Sequence, residues 1–235
     1  MKHIVALSGG KDSTAMALRL AETEPREYLF VCTPTGNEPS ALLAHWRRLE
    51  AMLGGSLVMI ADPRGLAGLI RHYRALPNWR QRWCTRILKL EPYFDWLEDQ
   101  APAVSYVGLR ADEPTRDGFD LGIPGIATDY PLRRWGWRLA DVWRYLETRG
   151  VAIPKRTDCQ LCFYQRLIEW WELWREEPLA YAAGEQFEAL TGQTFRSPSR
   201  DTWPAALNDL RAAFEAGRVP QDTRERHGMC RVCSL

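Results

Sequence analysis

Apolar runs and amphipathic stretches alternate through the first two thirds of the chain. HIVALS (3–8) reads as a buried strand, and a helix follows from Ser13 to Glu22. EYLFVCT (27–33) and SLVMIAD (56–62) read as the second and third strands, with a helix over SALLAHWRRLEAMLG (40–54) between them. Helices are predicted over GLAGLIRHYRAL (65–76) and RILKLEPYFDWLED (86–99), then a fourth strand over AVSYVGLRAD (103–112). Residues 129–150 close the alternation with a short strand and a helix capped by Gly150. Strands alternating with helices predict an α/β fold, doubly wound, with a mainly parallel sheet covered on both faces. From Lys155 the pattern turns helical and tryptophan-rich, with no clear strand. The division falls near residue 150: an α/β domain over 1–150 and a helical, cysteine-containing subdomain over 151–235, with no internal repeat and no low-complexity tract.

Composition narrows the classes. A chain of 235 residues, 46% hydrophobic and 26% charged, can bury a core. Net charge is +1, so no overall field points to nucleic acid or membrane, and basic residues matter only where they cluster. No run reaches the length of a membrane span and the first residues lack a signal-peptide pattern, so cytoplasm and no membrane partner are expected. Six cysteines in such a chain read as ligands or catalysts rather than disulfides.

The segment ALSGGKDSTAMAL (6–18) carries the first chemistry. A strand running into glycines and a helix start presents backbone N–H groups and a positive dipole end to an anion. Gly9 and Gly10 permit close backbone approach, Lys11 adds a point charge, and Ser8, Ser13 and Thr14 add hydroxyls. The Walker spacing G-x-x-x-x-G-K-[ST] is absent.

Ser8-Gly9-Gly10-Lys11-Asp12-Ser13 resembles the SGGxDS loop of the PP-loop ATP pyrophosphatases. TPTGNEP (33–39), WCTRILKLEP (83–92), VGLRADEPTR (107–116) and YPLRRWGWRLADVWRYL (130–146) are similar, in order, to motifs of the phosphoadenylylsulfate (PAPS) reductase branch. The resemblance implies a HUP/Rossmann-like fold in which the loop binds ATP and the nucleotide is cleaved between its α and β phosphates. It assigns nucleotide contacts to Ser8, Gly9, Gly10, Lys11, Asp12, Ser13, Thr14, Gly36, Glu38 and Arg110. Asp12 is a candidate magnesium ligand, and Arg110 and Arg116 are candidates to reach the α-phosphate or substrate. Two departures matter. The chain keeps the full SGGKDS and ends in CRVCSL instead of the E-C-G-L-H of reductases that act on PAPS, which places it nearer the ATP-using relatives, especially the sulfurtransferase type of DNA phosphorothioation. Pro34 stands where relatives carry an aspartate, so Glu38 or Asp12 must take that role or the role is missing.

Cys159-x-x-Cys162 and Cys230-x-x-Cys233 have the spacing of thiolate metal ligands, and two such pairs can close a tetrahedral site. Cys84 aligns with the first cysteine of a motif that binds a [4Fe–4S] cluster in adenylylsulfate reductases, with Thr85 in the second place. By that resemblance Cys84, Cys159 and Cys162 hold three irons and Cys230 or Cys233 the fourth; structural Zn²⁺ on the two pairs is the alternative. With zinc, Cys84 becomes a candidate catalytic thiol with a pKa depressed by neighbouring arginines. Arg80, Arg82 and Arg86 around it form either a basic wall for a polyphosphate or nucleic-acid backbone or a solvated face. Cys32 reads as a small buried hydrophobe, Trp170, Trp171 and Trp174 as a core face, and none of the four histidines as a ligand. In RSPSRDTWP (196–204) Asp201 or Thr202 is the expected cap of a helix with Pro204 early in it.

The leading expectation is an ATP-dependent sulfurtransferase that adenylates a substrate, a nucleobase or nucleic acid among the candidates, with ATP, Mg²⁺ and a [4Fe–4S] cluster as cofactors. Its catalytic set is Lys11, Asp12, Arg110, Arg116 and Cys84. A sulfur donor, small molecule or cysteine desulfurase, is the implied partner, and a homodimer is left open. The alternatives are an amidating or ligating enzyme with structural zinc, a reductase of an adenylylated sulfur compound, and a non-catalytic nucleotide sensor.

Overall fold

Five short parallel strands build one sheet in the order β3-β2-β1-β4-β5: β1 (Lys2–Ala6), β2 (Tyr28–Cys32), β3 (Val58–Met59), β4 (Ala103–Tyr106) and β5 (Ile126–Asp129). The computed structural model describes residues 1–116 and 122–222. The helices of the first part are α1 (Lys11–Thr23), α2 (Ser40–Leu53), α3 (Gly65–Tyr73), α4 (Trp83–Thr85) with a π-helical turn at Arg86–Leu90, α5 (Glu91–Glu98), α6 (Pro131–Arg134) and α7 (Leu139–Thr148). After an irregular stretch come α8 (Leu167–Glu176), α9 (Pro178–Thr191) and α10 (Leu207–Glu215).

Burial on both faces explains why the strands read as near-continuous apolar runs. On β1, Ile4 packs with Tyr93 and Leu97 of α5, while Val5 packs with α1, α2 and α7 through Met16, Leu49 and Leu146. The α/β expectation holds, with local differences. The third strand shrinks to two residues because it is an edge that pairs only through Val31–Val58 and Cys32–Met59. The fourth ends at Tyr106, since Val107 onward leaves the sheet as a loop. The last strand lies earlier than expected, at Ile126–Asp129, and the helix after it is broken into two at Gly136 (φ +68°). Gly150 ends α7 as expected: its N–H bonds Glu147 O and that of Val151 bonds Leu146 O, the Schellman pattern.

A second core draws on both sides of position 150. Leu66, Leu69 and Ile70 of α3 and Ile87 and Leu88 of the π-turn pack with Leu161, Trp170, Tyr181, Phe187 and Phe214. Trp170 is fully buried, with Trp171 and Trp174 packed against the same cluster, as their spacing suggests. The last helix starts at Leu207, not near Asp201. The Asp201 carboxylate is drawn instead to the buried Arg196 (2.7 Å) and to the Trp203 N–H (2.9 Å), which holds a turn where a cap was expected. No helix among the described residues is long and apolar enough to cross a membrane.

Candidate active site

Neighbouring strands β1 and β4 are where the sheet order reverses, and ligands of open α/β sheets bind beyond the carboxyl ends of such strands. The loop after β1 occupies that place. Leu7 N–H still bonds Val31 O (2.8 Å), and the chain then turns through Gly9 at φ +81°. A Cβ on Gly9 would stand 2.5 Å from Trp46 Nε1, the group that donates to Ser8 O at 3.3 Å. Only glycine satisfies both the left-handed backbone and this close approach. The hydroxyls of Ser8 and Ser13 meet at 3.0 Å, and Gly10 N–H donates to Ser8 Oγ. No side chain caps α1, which leaves its first-turn N–H groups to an anion. Thr14 is fully buried, 3.4 Å from Nε2 of His45, whose pKa burial lowers to about 4.

A charge cluster sits under the loop. Asp12 Oδ2 lies 3.3 Å from Lys11 Nζ and 2.9 Å from Arg110 Nη1. Arg110, only 1% exposed, also binds Asp112 at 2.8 Å and lies 3.6 Å from Glu113, which in turn pairs with Arg116 at 3.1 Å. Burial opposes the Arg110 charge, yet the carboxylates around it, Asp12 foremost, raise its pKa. Arg110 therefore braces the loop from below, with its guanidinium turned to Asp12. Asp12 Oδ1 is buried without a hydrogen-bond partner, an oxygen free to meet a cation. Gly108 fits against α1 so tightly that a Cβ would meet Ser13 N at 3.2 Å.

The loop after β2 forms the opposite wall. The Glu38 carboxylate accepts from Thr35 N–H (2.6 Å), Thr35 Oγ1 (2.7 Å) and Asn37 N–H (3.1 Å), so it shapes its own loop. A Cβ on Gly36, at φ +72°, would stand 3.6 Å from Gly65 Cα. Asn37 then clamps the cysteine segment: its carbonyl accepts from Gln160 N–H (2.7 Å) and its Oδ1 from Leu161 N–H (2.9 Å). Thr157, two residues before Cys159, lies against Gly10 of the first loop, 3.5 Å from where a Cβ would stand.

Cys84, Cys159 and Cys162 line one narrow cleft of about 30 Å³, partly open to solvent, together with Thr35, Arg82, Lys89, Asp158 and Tyr164. Cys84 precedes the π-turn, a distortion often found at functional sites. The expected low pKa of Cys84 is corrected: burial, and next the adjacent Cys159, push it up to about 11. Arg86 is taken up by Glu91, and Arg80 lies over the Trp79 ring, so neither offsets the burial. The Cys162 thiol is hydrogen-bonded to Cys159, which holds Cys159 below the usual range and Cys162 above it. Three thiols on one cleft are the donor chemistry of zinc and iron–sulfur sites. Among the described residues no group of three or more His, Cys, Asp or Glu side chains is placed to hold a metal ion, and Cys230 and Cys233 lie outside those residues. Cys32 is buried in the sheet, away from this cleft, as expected.

Sequence reasoning missed the residues that hold the cysteine turn. Asn37 was passed over because its partners are more than 120 positions away. Arg156 ties Asp158 (3.2 Å), Gln165 Oε1 (2.6 Å) and Cys159 O (2.7 Å) together, and the fully buried Gln165 donates to Gln160 O. The one available signal was an arginine and a glutamine flanking a C-x-x-C pair.

No curated protein matches the chain. Among solved structures it is similar to a predicted subunit of a tRNA methyltransferase from Methanocaldococcus jannaschii, at 17% identity and a TM-score of 0.36, over 65% of this chain and 89% of that one. The model of the phosphoadenosine phosphosulfate reductase domain matches residues 2–158, and the chain belongs to this enzyme family of the PP-loop ATP pyrophosphatase group.

Proposed function

We propose that the chain is an ATP-dependent sulfurtransferase acting on a nucleobase-containing acceptor. The observation that carries this reading is the juxtaposition of an uncapped phosphate loop with a three-thiol cleft, joined by the Thr157–Gly10 contact and the Asn37 clamp. In the first step an acceptor oxygen attacks the α-phosphorus of ATP. The bond from that phosphorus to the bridging oxygen breaks, and pyrophosphate leaves with the electron pair. Lys11 and the N–H groups of the first turn of α1 neutralise the charge on the leaving group. Asp12 offers Oδ1 to magnesium, while Arg110 fixes Oδ2 and so the rotamer. In the second step a hydrosulfide-level sulfur forms a bond to the activated carbon, and AMP leaves with the original oxygen.

The cysteine turn, braced by Arg156 and Gln165, keeps Cys159 and Cys162 facing Cys84 across the cleft. A thiol-held iron–sulfur cluster on Cys84, Cys159 and Cys162, completed by Cys230 or Cys233, would supply sulfur beside the activated carbon. Chromatography of the nucleotide products tests the first step. AMP and pyrophosphate are expected in a nucleic-acid-dependent reaction; ADP and phosphate, or no turnover with any nucleoside or nucleic acid, would overturn the reading.

A further inference from the structure

Residues 71–89, RHYRALPNWRQRWCTRILK, hold six of the chain's 31 lysines and arginines and none of its 30 acidic residues. The rest of the chain is therefore net acidic, and the overall +1 hides a local basic field. The fold gathers this run on one side of the thiol cleft. Tyr73, closing α3, packs on Trp83, which opens α4, with ring centres 5.6 Å apart, so the arginines of the two elements share a surface. Arg71, Arg74, Arg80 and Arg86 are exposed there, while Arg82 and Lys89 line the cleft beside Cys84. Of these exposed arginines Arg86 is partnered by Glu91.

Two further observations give the surface a partner. Trp79 is 63% exposed and Tyr73 44%, large aromatic faces interleaved with guanidinium groups, and Arg80 lies over the Trp79 ring at 4.7 Å. Arg74 is the one non-glycine residue at positive φ (52°) among the described residues. A glycine would close α3 there without strain, so an arginine is held at a cost on the basic face. Basic groups for a phosphate backbone and exposed rings for base stacking are the combination that binds single strands. A membrane surface would call for an apolar helical face, whereas the buried side of α3 is already used by the second core.

We infer that the 71–89 surface binds a single-stranded polynucleotide and leads one of its bases to the mouth of the cleft of Cys84, Cys159 and Cys162. This rests on the sulfurtransferase reading and names its acceptor as a base within a strand. The cleft is narrow, and its rim carries Tyr164 under Arg82, at 5.3 Å from the ring centre, an aromatic face on which a base can stack. An unpaired base can reach that mouth without the cost of opening a duplex.

The test is fluorescence anisotropy with labelled single-stranded RNA and DNA of mixed sequence, the matching duplexes, and vesicles of anionic lipid, over a range of salt concentrations. Single strands are expected to bind more tightly than duplexes or vesicles, with affinity falling steeply with salt. Trp79→Ala should weaken binding about tenfold through lost stacking. Arg74→Ala and Arg80→Ala should weaken it and flatten the salt slope. ATP binding without a strand, read by calorimetry, should be unchanged in all three variants. Equal binding by Trp79→Ala and Arg80→Ala, preference for vesicles, or no strand binding at all would each overturn the inference. Pyrophosphate release with a free nucleoside as acceptor, but no strand binding, would sink this surface alone. Strand binding without pyrophosphate release would sink the sulfurtransferase reading and leave the surface standing.

Discussion

Arg110→Met isolates the charge cluster under the phosphate loop. The arginine is 1% exposed and its guanidinium serves Asp12 at 2.9 Å, Asp112 at 2.8 Å and Glu113 at 3.6 Å. Methionine fills similar volume, so packing is largely kept while three carboxylates lose a buried counter-charge. Asp112 retains Leu139 N–H and Glu113 retains Arg116, but Asp12 Oδ2 keeps only Lys11. Removing one partner of a buried ion pair costs about 3–5 kcal/mol. At about 2–4 °C per kcal/mol for a chain of this size, Tm should fall by roughly 6–20 °C. Arg110→Lys restores the charge but not the planar fork, and should fall between the two. Adding Asp12→Asn to Arg110→Met should recover part of the loss, because the two sites are coupled. Urea and thermal unfolding followed by circular dichroism measure all four proteins. A loss below about 1 kcal/mol in Arg110→Met would refute the claim that this arginine braces the loop.

Three other outcomes are expected. Metal analysis of anaerobically purified Cys84→Ser should show lowered iron and Cys162→Ser none; full metal in Cys84→Ser beside loss in Cys162→Ser would instead mean zinc on the two C-x-x-C pairs. His45 has its pKa lowered from 6.5 to about 4 by burial, so its neutral form stabilises the fold above pH 6.5 and that contribution is lost as pH falls through about 4. Wild type should therefore lose roughly 3 kcal/mol relative to His45→Gln between those limits, read by urea titrations at each pH, and parallel curves would contradict the assignment. Gly9→Ala must face both φ +81° and the Trp46 indole, and should cost about 2–4 kcal/mol and abolish ATP binding by calorimetry.

Local signals made the sheet and the loop readable from the chain. Alternating apolar segments gave the parallel strands, and the glycines, Lys11 and Asp12 sit adjacent in sequence, so their chemistry shows without a structure. The three-thiol cleft was legible in its cysteines but not in its shape. Asn37, Arg156 and Gln165 hold the turn through contacts that depend on the sheet bringing residues 35–38 against 157–162. Arg110 looked like a phosphate ligand because strand ends face ligands; its burial between three carboxylates depends on Asp12, 98 positions away. The Cys84 pKa failed for a related reason: sequence shows how many arginines are near, while burial decides which of them matter.

The central claim, that ATP cleavage at the loop drives sulfur into a base, is tested most directly by one mass-spectrometric measurement. Purified protein is incubated with ATP, magnesium, sulfide and single-stranded RNA or DNA, and the strand is digested to nucleosides. Wild type should yield a nucleoside in which one oxygen is replaced by sulfur, in step with AMP and pyrophosphate. Lys11→Ala should yield neither while remaining folded by circular dichroism, with some stability lost because Lys11 is buried and pairs with Asp12. Sulfur-containing nucleoside formed equally by Lys11→Ala, or pyrophosphate released with no sulfur gained by any strand, would contradict the account.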